Sequence, residues 1–260
     1  MILRGFALLC FLAAGPAAGA EGAKHAFSCQ ETSSGDIVAD VTPDGDVRLA
    51  AGRVARVADI RLAESSEALR RARAWLETLG GEAVVLRELG PPDRWGRVPV
   101  HLELGRARPI DVAELLVSEG LAVVDPGQRD LLCRPELLQV EARARRSRSG
   151  LWREAGWPIA ALAVDQLAAA EGRFAIIEGR IVSVGERRER TYLNFGRDWS
   201  RDFNVTIARR RWNDLKARGI TAATLTGRYV RVRGIVEKRR SPTLDLTVAD
   251  MLEMVEPTTR

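Results

Sequence analysis

The sequence predicts an α+β chain of two consecutive domains: a first α+β domain carrying three helices, then a second, five-stranded β domain. Three observations lead there. Short runs rich in Val, Ile and Leu recur between Gly, Pro and Asp turns in both halves. Helical periodicity is concentrated in a few stretches of the first half. An Ala-rich stretch after Trp157-Pro158 then separates the two patterns. The predicted boundaries are a signal peptide over 1–20, a first domain over 21–155, a junction over 156–172 and a second domain over 173–257.

Met1-Ile2-Leu3-Arg4 gives a short positive start, Gly5 to Ala14 an apolar run, and Ala18-Gly19-Ala20 a small-x-small cleavage pattern. Export, to a periplasm or out of the cell, is the expectation. Leu9 stands where a lipoprotein needs a small residue before its Cys, so Cys10 is not read as lipidated. No later segment reaches the length of about 18 apolar residues that a membrane span needs.

In the first domain, Ile37 to Leu49 carries two strands around Pro43-Asp44-Gly45, and Arg53 to Ile60 a third. From Ser65 the period becomes helical, with Leu69, Ala72, Leu76 and Leu79 on one face and Gly80-Gly81 as the stop. Ala83 to Leu89 resumes a strand. After the turn at 91–96, Val98, Val100, Leu102 and Leu104 alternate with Pro99, His101 and Glu103. Pro99 cannot donate to a ladder, which predicts an edge or a bulge, and His101 is expected on the exposed side. A second helix over 110–118 ends at Gly120, and a third over 135–147 ends at Gly150.

In the second domain, Phe174 to Val184, Thr191 to Phe195, Phe203 to Ala208, Tyr229 to Val236 and Leu244 to Val248 read as strands, with a helix over 211–218. Five strands with a helix between the third and fourth is the order of an OB-like barrel.

Removal of the leader leaves Cys29 and Cys133. An oxidising compartment favours a disulfide between them, although spacing alone leaves two free thiols open. The formal charge is +5, and from residue 161 onward 19 Lys and Arg face 13 Asp and Glu. A basic second half suits an acidic partner, nucleic acid or another polyanion. Only three of the 40 basic residues are lysines, so any one Arg cluster counts for less. His25 and His101 form no metal constellation. No phosphate-cradling Gly loop, Ser-His-Asp set or Cys/His zinc spacing occurs.

Five pieces of the first domain fall in a familiar order: Asp44-Gly45-Asp46; Arg56 to Glu64; Asp93-Arg94-Trp95-Gly96-Arg97; Glu114 to Ala122; and Glu141 to Trp152. Together they resemble the staphylococcal thermonuclease family over about residues 35–155. The resemblance implies an OB-fold-like thermonuclease barrel, a calcium ion held between two aspartates, two arginines on the scissile phosphate and a glutamate positioning water. By position, Asp46 matches the first metal aspartate, Arg56 and Arg97 the phosphate arginines, and Glu64 the water-positioning glutamate. Trp95, with Arg94 beside it, matches an aromatic near the nucleotide, either as a base-stacking surface or as packing behind the turn.

The departure is Arg61, which falls on the second metal aspartate. It removes an anionic ligand and puts a fixed cation in its place, against what calcium requires. In the second domain, Tyr229, Arg231 and Arg233 alternate with Val230, Val232 and Gly234, and Tyr192 and Asn194 alternate with apolar neighbours. Tyr192, Arg231 and Arg233 therefore read as a nucleic-acid face, the alternative being a solvated face in an Arg-rich chain. The expectation is an exported thermonuclease-like protein acting on DNA or RNA, single strands favoured, as a phosphodiesterase whose hydrolysis is weak or lost. The other reading is a non-catalytic envelope protein that binds nucleic acid, another polyanion or a protein partner.

Overall fold

The computed structural model describes residues 29, 32–64, 66–105, 107–127, 129, 131–154, 156–198 and 200–256. The expected signal peptide at 1–20 lies outside them. The chain begins with strands β1 (Thr32–Val41), β2 (Val47–Leu49), β3 (Val54–Val57) and β4 (Ile60–Leu62), then helix α1 (Ser66–Glu77). Strands β5 (Ala83–Glu88), β6 (Arg97–Leu104) and β7 (Ile110–Asp111) follow, then α2 (Val112–Ser118), β8 (Ala122–Val124) and α3 (Leu137–Arg146).

Antiparallel pairings run β3-β2-β1-β5-β6, and a parallel pairing from Val54↔Arg97 to Val57↔Val100 joins β3 back to β6. The sheet thus closes as a five-stranded barrel, filled by Val38, Val47, Leu49, Val84, Leu86, Leu102 and Leu104. Apart from the barrel, β4 pairs with β8.

Two expectations change here. The third strand is broken at Ala58-Asp59, so Arg56 and Arg61 sit on different strands. Also, β6 is not an edge, because it has a partner on each side. The carbonyl of Pro99 accepts from Leu89, just past the end of β5, so the missing N–H of Pro99 falls at the end of that ladder.

Helix α1 buries Ala68, Ala72 and Leu76 at four-residue spacing, with Leu79 beyond its end. α2 starts later than the apolar pattern predicts because Asp111 is its extended N-cap, accepting from the Glu114 amide at 2.7 Å.

Gly120 and Gly150 close this domain back to back. Both have positive φ, and a Cβ on Gly150 would lie 2.2 Å from the Gly120 carbonyl oxygen. Left-handed backbone and a backbone clash act together, so Gly150→Ala is expected to destabilise by at least about 2 kcal/mol. The check is a lowered denaturant midpoint at unchanged m-value.

The second domain contains β9 (Ile159–Ala160), α4 (Val164–Ala169), β10 (Phe174–Arg180), β11 (Ser183–Glu186), β12 (Arg190–Asn194) and β13 (Asn204–Ala208). It continues with α5 (Arg209–Ala217), α6 (Ala222–Leu225), β14 (Tyr229–Lys238), β15 (Pro242–Asp245) and β16 (Leu252–Met254). A break at Ile181-Val182 splits the first long strand into β10 and β11. Counting those two as one bent strand, the order β11-β12-β13-β15-β14-β10 repeats the first barrel's pairing order, with β13–β15 the parallel step. The stretch predicted as a junction is packed: β9 pairs in parallel with β10, and Glu171 bridges Val236.

The surface role expected for Arg231 and Arg233 does not hold. Both side chains are buried, at 4% and 2% residue exposure. Arg231 forks onto Glu178, while Arg233 meets Glu141 of α3 at 2.7 Å and also pairs with Glu253 of β16. β16 pairs alongside β14, and Arg233 reaches Glu141 of α3 in the first barrel, so Arg233 joins the domains while Arg231 stays paired within the second. Burial alone would depress the Arg233 guanidinium, but Glu141 and Glu253 outweigh it and raise its pKa above the ordinary value. Arg145 moves the other way, lowered by burial and by the nearby Arg231 charge.

His101 is likewise buried rather than exposed. Its Nε2 lies 3.2 Å from Asp59, which also receives Arg129 and the Cys133 amide. Cys29 and Cys133 form a disulfide, with Cα atoms 5.4 Å apart.

Candidate functional site

The turn between β1 and β2 sets the site's inner wall. Gly45 has φ near +81°, and a Cβ there would lie 2.3 Å from Leu62 Cδ1, so only glycine lets the turn lie against β4. The Thr42 hydroxyl accepts from the Asp46 amide at 3.0 Å. Together these direct Asp46 inward, where its side chain is only 5% exposed. Arg56 on β3 grips it as a fork, Nε to Oδ1 at 2.6 Å and Nη2 to Oδ2 at 2.9 Å. Arg97, at the start of β6, approaches the same carboxylate at 3.5 Å.

Asp93 anchors Arg97. One carboxylate oxygen accepts from the amides of Trp95 and Arg97, and the other from the Arg97 guanidinium at 2.8 Å. Slight burial raises the Asp93 pKa, but these bonds outweigh it and hold the carboxyl below its usual range. Arg97 is raised in turn, since Asp93 and Asp46 more than offset its burial.

Arg61 lies on β4 opposite Val123 of β8. That pairing brings the residue after β8, Asp125, within 2.8 Å of the Arg61 Nε. Glu64 is 3.7 Å from the same guanidinium, and Phe174 of the second domain lies beneath it, 5.1 Å to the ring centroid.

Asp46, Arg56, Arg61, Glu64, Arg97 and Asp125 all line one open cleft of about 420 Å³. The structure thus gathers every catalytic and metal position expected from the sequence. Asp125 and Phe174 were not foreseen. Asp125-Pro126-Gly127 reads as a turn, and only the β4–β8 pairing shows what it faces.

Arg94 and Arg97 both lie over the ring of Trp95, at 3.8 and 4.4 Å from its centroid. The ring is 55% exposed. Neither Trp95 nor Arg94 lines the cleft, so Arg97 is their link to it. Tyr192 is on the second barrel, in a separate cleft.

The arrangement suits an oxyanion better than a cation. The Arg56 and Arg61 side chains are 41% and 37% exposed, leaving guanidinium N–H groups open to the cleft beyond those their carboxylates take. The residues do not fit calcium. Both oxygens of Asp46 are committed to Arg56, and the second ligand position carries a guanidinium. A fixed guanidinium at this position repels a divalent ion, although its pairing with Asp125 reduces that repulsion. No His, Cys, Asp and Glu group among the described residues is placed to hold a metal.

Residues 59–154 match the family described as staphylococcal nuclease homologue. The matched stretch includes Arg61, Glu64 and Arg97. No curated protein matches the chain.

Proposed function

We propose that this nuclease-homologue domain grips phosphodiesters of nucleic acid through Arg56, Arg61 and Arg97, in an exported protein whose calcium-dependent hydrolysis is weak or lost. The observation that carries the reading is that Arg56 holds both oxygens of Asp46 while the guanidinium of Arg61 stands at the second ligand position of the same cleft. Three guanidinium groups converge on one cleft, and phosphate oxygens compete well for such donors. What calcium contributes to hydrolysis is a fixed coordination geometry for attacking and leaving oxygens, which guanidinium charge does not replace. Export is supported by the leader-like sequence over 1–20 and by the paired cysteines.

Glu64 favours a second reading, slow phosphodiester cleavage without metal. Its side chain is 42% exposed and borders the arginine cleft, so it can orient a water for in-line attack.

The deciding experiment incubates labelled single-stranded DNA and RNA with the protein in calcium and in chelator, with an Arg56→Ala, Arg97→Ala double variant as the contamination control. Retained binding without chelator-sensitive cutting is the expected result. Efficient calcium-dependent cutting, lost in the double variant, would overturn it. Arg61→Asp is expected to raise calcium-dependent cleavage by about tenfold or more and to produce a calcium-dependent rise in melting temperature. No thermal response to calcium would mean that the Arg56–Asp46 fork alone excludes the ion.

A further inference from the structure

Because the two barrels share one pairing order, their surfaces can be matched element by element. The first cleft lies between the β1–β2 turn, β3 and the start of β6. The equivalent elements of the second barrel are the β11–β12 turn, β13 and the start of β15. They too enclose a cleft, of about 520 Å³.

Its chemistry is different. Its floor is the outer face of β12 and β13, where Tyr192 pairs opposite Thr206 and Asn194 opposite Asn204. Asn204 and Thr206 are fixed: the Asn204 amide donates to the Ser241 hydroxyl at 2.8 Å, and Thr206 donates to Asp245. Asp245 is itself paired with Arg190, and none of the described residues lining the cleft is acidic. Arg187 borders it from one turn, and Arg239 and Arg240 from the other. A neighbouring groove shares Arg187 and adds Arg188, Arg209 and Lys216 beside one acid, Glu186, which accepts from the Trp212 indole. Tyr192, 37% exposed, is an aromatic ring set among polar side chains on the floor.

We infer that this second cleft binds a single strand of nucleic acid, with Tyr192 stacking on a base and Arg187, Arg239 and Arg240 neutralising its phosphates. A floor of amides and hydroxyls around an open ring suits unpaired bases, whose faces and edges are both accessible. A duplex hides its base faces, and a polyanion without bases would use only the arginine rim. The inference rests on the nucleic-acid part of the reading above and is independent of hydrolysis in the first cleft.

The test is fluorescence anisotropy of a labelled twelve-residue oligothymidylate with the full chain, with heparin as a baseless polyanion. Tyr192→Ala is expected to weaken oligothymidylate binding about tenfold, and Tyr192→Phe to restore most of it. Arg187→Ala with Arg239→Ala should lower the salt slope by about 1.4. Melting curves of each variant separate lost binding from lost folding. Three results would overturn the inference. One is less than a twofold effect of Tyr192→Ala. Another is heparin binding as tightly as the oligonucleotide with neither sensitive to Tyr192. The third is binding abolished by Arg56→Ala with Arg97→Ala but untouched by the second-barrel variants, which would place the strand in the first cleft.

Discussion

Replacing Arg233 by Met is expected to destabilise the protein by about 3–5 kcal/mol, because it takes the closest cation from the buried Glu141 at the junction of the two barrels, while Glu253 keeps Arg231. The Arg233 and Glu141 side chains are both fully buried, 2.7 Å apart. Glu141 also accepts from the Val124 amide at 2.7 Å, so one carboxylate joins α3, β8 and β14. At roughly 2–4 °C per kcal/mol, the melting temperature should fall by about 6–20 °C. The pair need not be worth that much in itself, since the cost of a truncation is dominated by the charge left behind. Adding Glu141→Gln to Arg233→Met should therefore recover part of the loss, a coupling that a double-mutant cycle measures. A change under about 1 kcal/mol from Arg233→Met would show that the carboxylates reach water and that the barrels do not close over them.

Loss of the Cys29–Cys133 disulfide has a comparable expected effect. The bridge spans 104 positions, and a closed loop of that order restrains the unfolded chain by about 4–5 kcal/mol. Its far end is anchored as well, because the Cys133 amide and Arg129 both donate to the buried Asp59, which His101 also contacts. The Cys29→Ser, Cys133→Ser double variant should melt well below the oxidised protein and close to the protein unfolded in reductant. Alkylation of both thiols without prior reduction, seen by mass spectrometry, would remove the bridge from the account.

Much of this was legible in the sequence, for identifiable reasons. Alternating apolar residues and glycine or proline turns marked most of the strands in both barrels, because strand period and turn chemistry are local properties. Boundaries shifted where a single residue redirected the chain, as Asp111 does by capping α2 rather than joining it. The site positions Asp46, Arg56, Arg61, Glu64 and Arg97 came from motif order, and the fold does bring them into one cleft.

What the sequence by itself determined is the order of elements and the charge reversal at Arg61, since each depends on residue type and near neighbours. Only the tertiary structure decided which polar faces meet solvent. Arg231, Arg233 and His101 alternate with apolar residues as exposed side chains do, yet all three are buried against carboxylates contributed by other elements. Asp125 becomes the partner of Arg61 only because β8 pairs with β4 across more than 60 residues of chain. Strand periodicity records that two faces of a strand differ. Whether the polar face looks onto water or onto a complementary charge depends on what packs over it, and that is set by contacts distant in sequence.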